Sequence, residues 1–326
     1  MKTSEKIIEY LKQNNQTTTS NLVDYLGITD RAVRKQLRSL IDARLIQKTG
    51  KPPKVYYSPA VKIDEPSQAI MDTIPKIIQN ILAKEFYYIS ARGTIYEGCE
   101  GFIYWCQERK LDLKKTAEQY QKIIQKYHKY KSNSLIDGMY KIKSTFDEVW
   151  LDEVFYVDFY SIEIFGKTKL GQLLLFAKQS QNRKLIHEIA DIIKNPLLNV
   201  IKQYNIDGIG FIPPTVKREI QLIKLLQNRL NLNQRIIKID KIRTSVTVPQ
   251  KTLTKLKDRI INASETMALN DSVVYENILL VDDALGSGAT LNEIAKKIRQ
   301  KGVCRGKIIG FVITGSFKSF DVISEV

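Results

Sequence analysis

Apolar positions recur at helical spacing in three short runs at the start of the chain. Ile7, Ile8 and Leu11 mark the first, over residues 4–11, with Ser4 placed to cap it. After a polar stretch at 14–19, Ser20 is placed to cap a second helix that carries Leu22, Val23 and Leu26 and stops at Gly27. Asp30 is placed to cap a third, over 31–45, whose apolar face is Ala32, Val33, Leu37, Leu40 and Ile41. Residues 45–57 then read as two short strands around a Gly/Pro turn. Further on, the pattern predicts helices over 67–83 and 113–130, a strand-like run at 86–89, and an aromatic, β-branched run at 155–165 that fits a strand bordering a sheet. Residues 206–215 read as a buried strand opening into a loop, followed by a helix over 218–226. The apolar quartet Ile278, Leu279, Leu280 and Val281 is a second buried strand, with a helix starting near Leu291.

Charge adds meaning to the amino-terminal elements. Arg31, Arg34, Lys35 and Arg38 fall on one side of the third helix at i, i+3, i+4 and i+7. A merely solvated face of an interaction module would mix signs, and this row is purely cationic. Lys48, Lys51 and Lys54 sit on the hairpin that follows. Three helices and a basic hairpin resemble the winged helix-turn-helix domains of bacterial regulators. That resemblance implies a third helix in the major groove of double-stranded DNA and a wing on the phosphates. Residues 1–64 hold twelve Lys/Arg against six Asp/Glu, which is +6 of a whole-chain net charge of +16. Polyanions are therefore the expected partners, with binding that weakens as salt rises.

Composition sets the outer limits. At 326 residues, 43% hydrophobic and 26% charged, the chain reads as globular with two or three domains, and not as disordered or fibrous. Three cysteines, Cys99, Cys106 and Cys304, form no CxxC pair, so a zinc ribbon or a disulfide framework is not expected. No apolar run is long enough to span a membrane and no leader is apparent, which makes a reducing cytoplasm the expected location.

The run from Ile278 to Thr290 carries the chemistry: an apolar quartet, the acid pair Asp282 and Asp283, the small-residue turn Leu285, Gly286, Ser287 and Gly288, then Ala289 and Thr290. Small residues let successive backbone N–H groups close around a phosphate, and the following helix adds its positive end. Paired carboxylates can accept hydrogen bonds from vicinal ribose hydroxyls. This combination resembles the phosphoribosyl-pyrophosphate (PRPP) motif of type I phosphoribosyltransferases. The order of Lys241-Ile242-Arg243, Val248 to Leu253 and Arg259 to Ala263 is similar to the competence-protein-F branch of that family, as are 170–178 and 185–193. The branch's amino-terminal zinc ribbon is missing. The resemblance spans about 155–314 and implies an α/β domain with a parallel sheet and flanking helices, and displacement of pyrophosphate from PRPP with Mg²⁺ bridging substrate oxygens. It also implies residue roles: Asp282 and Asp283 on the ribose hydroxyls, Leu285 through Thr290 on the 5′-phosphate, and Pro213, Pro214 and Thr215 at the pyrophosphate. Arg243, Lys251 and Arg259 would be cations of a mobile loop. No protein-only metal site is expected.

Three segments result: a winged helix-turn-helix over 1–64, a mostly helical middle over 65–150, and a phosphoribosyltransferase-like domain over 151–326. The middle carries no recognised chemistry. Lysines and tyrosines at 122–131 could grip a single strand, but such a helix is more commonly a solvated face. His128 and His187 read as structural or exposed, and Trp105 and Trp150 as core anchors. Past the strand at 308–313 few residues remain for a hood over an acceptor. Winged-helix plus phosphoribosyltransferase-like proteins of this size also resemble effectors encoded beside bacterial retron reverse transcriptases in anti-phage systems. That likeness implies a retron RNA–DNA hybrid and a reverse transcriptase as partners. The alternatives are a PRPP-sensing metabolic regulator and an active transferase. A homodimer is expected of many winged-helix proteins.

Overall fold

The structure is a computed structural model and describes residues 2–43, 45–60, 68–216, 218–242, 244–246 and 248–316, with the side chains of Lys51 and Lys251 outside the description. Two compact units divide the chain at Glu65 and Pro66.

The first unit holds α1 (Thr3–Asn14), α2 (Thr19–Leu26), α3 (Asp30–Asp42), β1 (Ile46–Lys51) and β2 (Lys54–Pro59). Ile7, Leu11, Leu22, Val33, Leu37, Leu40, Ile46 and Tyr57 form its core. The caps differ from the sequence expectation by one or two residues. Thr18 and Thr29 are the N-caps, accepting from the backbone N–H groups of Asn21 and Ala32. Both threonines immediately precede the helices in extended conformation, while Ser20 and Asp30 already lie inside them. Gly27 ends α2 in the left-handed conformation, as its position predicts. β1 and β2 pair antiparallel across Pro52 and Pro53, in the register Lys51 to Lys54 and Lys48 to Tyr57.

The second unit begins with α4 (Gln68–Met71), α5 (Lys76–Glu85), β3 (Tyr87–Ile89), β4 (Ile95–Glu97), α6 (Gly98–Glu108) and α7 (Leu113–His128). β5 (Lys131–Ser132), β6 (Leu135–Asp137), α8 (Met139–Thr145), β7 (Glu153–Phe159), β8 (Ser161–Ile162) and β9 (Gly166–Lys167) follow. Next come α9 (Lys169–Ser180), α10 (Arg183–Gln203), β10 (Gly208–Phe211), α11 (Leu222–Leu230), β11 (Arg235–Ile236) and β12 (Ile239–Lys241). The unit closes with α12 (Leu256–Thr266), β13 (Met267–Leu269), β14 (Ile278–Leu285), α13 (Ala289–Lys301) and β15 (Ile308–Gly315).

Seven strands form its sheet in the order β11-β10-β14-β15-β7-β6-β5. The first five run parallel, and β6 and β5 turn antiparallel at one edge. The central strands are buried on both faces, which is why 278–281 reads as continuous apolar and not alternating. Ile278 and Leu280 join a core with α5, α6, α7, α8 and α13. Leu279 and Val281 join another with α9, α10 and α11.

Three expectations are corrected here. The segment expected as a separate middle at 65–150 packs into the same unit as everything after it, because Ile78, Phe102, Tyr120 and Ile142 share one core with Val154, Leu280 and Val312. For the same reason β7 is not a border strand: β6 and β5, from that middle, extend the sheet beyond it. The helix expected over 218–226 is displaced to Leu222–Leu230. Trp105 is buried against Phe86, Phe102 and Phe165, as a core anchor. Among the described residues no helix is long and apolar enough to cross a membrane.

Candidate functional site

β10 and β14 pair in register, Phe211 beside Val281, and Ile212 N–H donates to Val281 O at 2.9 Å. β10 therefore leaves the sheet as Pro213-Pro214-Thr215, while β14 runs on beside β15 as far as Leu285 and carries Asp282 and Asp283 past that point. β10 also pairs with β11 on its far side. This is the switch point of an open parallel sheet, where ligands bind at the carboxyl ends of strands.

A cavity of about 250 Å³ opens there. Pro213, Pro214, Thr215, Arg259, Asp282 and Asp283 line it. So does the loop from Gly286 through Thr290. Leu285 does not reach the cavity; it is fully buried beneath the loop. Gly288 has φ +82°, the left-handed region that favours glycine, and a Cβ there would press on the Cδ1 end of Ile142 in α8. Ser287 is buried, and its Oγ accepts from the Ala289 N–H at 3.3 Å. The loop thus feeds into the amino end of α13, where free backbone N–H groups favour an anion. Arg243 lies outside the described residues, as does the side chain of Lys251.

The acid pair is electrostatically strained. Burial and the Asp283 carboxylate push Asp282 up to about 7, against the Asp283 N–H and the Lys178 ammonium. That N–H donates to Asp282 Oδ1 at 2.7 Å. Lys178 Nζ stands 2.6 Å from Asp283 Oδ1, reaching across from α9. Lys178 and its neighbour Gln179, with the apolar Leu174 and Leu175, form a wall that sequence reading did not assign to the site. Lys178 and Asp283 are 105 positions apart, so no local pattern announces the pairing. Arg259, expected as a cation of a mobile loop, lies instead inside α12, where it is 5% exposed and donates from Nε to Leu253 O at 2.7 Å. Gln250 Nε2 donates to Arg259 O at 3.0 Å and to Asn262 Oδ1 at 3.1 Å, tying segment 250–253 to α12.

The oxygen-rich acid pair suits a hard divalent cation arriving with a ligand's own oxygens. Among the described residues no group of three or more His, Cys, Asp or Glu side chains could hold a metal.

In the first unit, Arg31, Arg34, Lys35 and Arg38 are all exposed on α3. The row is less uniformly cationic than its sequence implies, because Arg34 Nε pairs with Asp30 Oδ2 at 2.6 Å. Lys48 and Lys54 are exposed on the wing, and the side chain of Lys51 is outside the description.

These features define a three-helix unit with a β-hairpin wing, followed along the chain by an α/β unit whose parallel sheet carries a cavity at its switch point. More particularly, residues 3–48 match the profile described as bacterial regulatory protein, arsR family. Among solved structures, the chain is similar to a hypoxanthine phosphoribosyltransferase from Staphylococcus aureus. The identity is 15% and the TM-score 0.23, over 41% of this chain and 75% of that one. No curated protein matches the sequence.

Proposed function

We propose that this protein binds PRPP together with Mg²⁺ in its second unit and double-stranded DNA through its first, acting as a ligand-responsive transcription regulator. The observation that carries the reading is the convergence of an acid pair, a glycine loop at a helix start and a Pro-Pro-Thr bend on one cavity. Asp282 and Asp283 hold the ribose hydroxyls, residues 286–290 the 5′-phosphate, and 213–215 with Arg259 the pyrophosphate. Bound Mg²⁺ would neutralise charge on the pyrophosphate oxygens. Catalysis, where it occurs, breaks the bond from the anomeric carbon to pyrophosphate and forms one to an acceptor, which calls for positioned positive charge and no protein nucleophile.

PRPP with Mg²⁺ is expected to raise the melting temperature, and the double variant Asp282→Asn, Asp283→Asn to abolish that rise. No stabilisation of the wild type removes the reading. Radiolabelled PRPP with a panel of bases and nucleotides separates transferase from sensor by pyrophosphate release.

The net charge of +16 favours a second reading, an effector held with a retron's RNA–DNA hybrid and reverse transcriptase. Purification from the native host followed by sequencing of bound nucleic acid decides it. A short reverse-transcribed DNA supports the effector, and promoter DNA of a nucleotide-synthesis operon supports the metabolic regulator. Sedimentation of the same sample tests the homodimer.

A further inference from the structure

The loop at 285–290 does not stand alone. α8 lies directly behind it: a Cβ on Gly138 would come 2.8 Å from Leu285 Cδ2, and Ile142 fills the space that a side chain on residue 288 would need. One turn between these two positions is Lys141. Its ammonium donates to Leu285 O at 3.2 Å, Ser316 O at 3.0 Å and Ser316 Oγ at 3.3 Å. The ammonium therefore joins the ends of β14 and β15 at the root of the loop.

We propose that Lys141 is a positioning residue for the anion loop, a half-buried cation that supports a bound phosphate from the root of the loop and takes up a proton when the phosphate arrives. The inference rests on the phosphate-binding reading of the loop and adds a regulation to it: affinity for a 5′-phosphate becomes linked to pH.

The groups acting on Lys141 set the direction. β14 and the residue after β15 present carbonyls, and α12 presents Arg259, whose charge opposes protonation. Burial, foremost, and Arg259 lower the ammonium to about 8. A phosphate dianion across the loop adds the opposite effect through a poorly screened interior and raises it. Near pH 8 the lysine is therefore about half protonated without ligand and nearly fully protonated with it. The phosphate itself is already a dianion there, since its second ionisation lies near 6.

The test is titration calorimetry of the full chain with ribose 5-phosphate, in buffers of different ionisation enthalpy, for wild type, Lys141→Arg and Lys141→Met. Wild type is expected to take up about half a proton per phosphate at pH 8 and to lose about tenfold in affinity from pH 7 to pH 9. Lys141→Arg keeps a permanent cation, so it should bind at pH 7 with an affinity flat to pH 9 and without that uptake. Lys141→Met should bind more weakly at pH 7, with an equally flat profile. Any proton exchanged by the acid pair is common to all three proteins and cancels in the comparison. Identical proton uptake and identical pH profiles in the three proteins overturn the role of Lys141 alone. Failure of wild type to bind ribose 5-phosphate at any pH overturns the phosphate reading of the loop, and this inference with it.

Discussion

Asp282→Asn is expected to stabilise the second unit while destroying its ligand response. An unfolded aspartate releases its proton near 3.8, whereas Asp282 in the fold holds its proton to about 7. Between those values folding takes up a proton, so this group's contribution is fully present below the unfolded value and is lost as pH rises through the folded one. Each unit of displacement is worth about 1.4 kcal/mol, which sets the loss above pH 7 on the order of 4 kcal/mol. Asparagine keeps the side-chain oxygen that accepts from the Asp283 N–H at 2.7 Å and carries no charge to bury. The gain at pH 8 should therefore be about 2–4 kcal/mol, shrinking to nothing near pH 4. Urea unfolding followed by tryptophan fluorescence is the assay, because both tryptophans, Trp105 and Trp150, lie in the second unit. The reasoning fails if the variant is less stable than wild type at pH 8, or if the difference between them does not change with pH.

Three further outcomes follow from the same geometry. Gly288→Ala, which combines a left-handed backbone with a clash against Ile142, should cost about 2–4 kcal/mol in the same unfolding assay; an unchanged midpoint would mean the loop is not seated on α8. Lys178→Met, which strips the acid pair of its cation, should cost about 1–3 kcal/mol at pH 8 and less at pH 5, where Asp282 is already protonated; an equal cost at both values would contradict the action of Lys178 on Asp282. Leu37→Ala, emptying part of the small core of the first unit, should cost that unit about 2–4 kcal/mol and abolish DNA retardation on a gel, while the tryptophan transition of the second unit stays in place.

The parts of this molecule that were legible in sequence are those governed by short-range rules. Helical periodicity located α1 to α3, Gly27 marked a helix end, and the strand, acid pair and turn at 278–290 announced their own geometry within thirteen residues. Local rules erred where two neighbours compete for one role, as Thr29 and Asp30 do: both are good caps, and the one just outside the helix takes the position while the other pairs with Arg34. Long-range partnerships left no trace. Lys141 reaches residues 285 and 316, Lys178 reaches 283, and Asn292 bridges the 148–150 segment through Glu148 O and the Trp150 N–H. The middle segment looked like a separate piece for the same reason. Its helices α5, α6 and α7 exist to cover one face of a sheet whose other strands lie far along the chain.

The placement of β7 has a consequence for how such a chain comes off the ribosome. Residues 153–159 form the fifth parallel strand, but their parallel neighbour is β15, about 150 residues later. Until that partner has been synthesised, one hydrogen-bonding edge of β7 stays open, and only the short β6 guards the other. A nascent chain stalled before residue 308 should thus be sticky, chaperone-dependent and protease-sensitive, even with its amino-terminal head already folded.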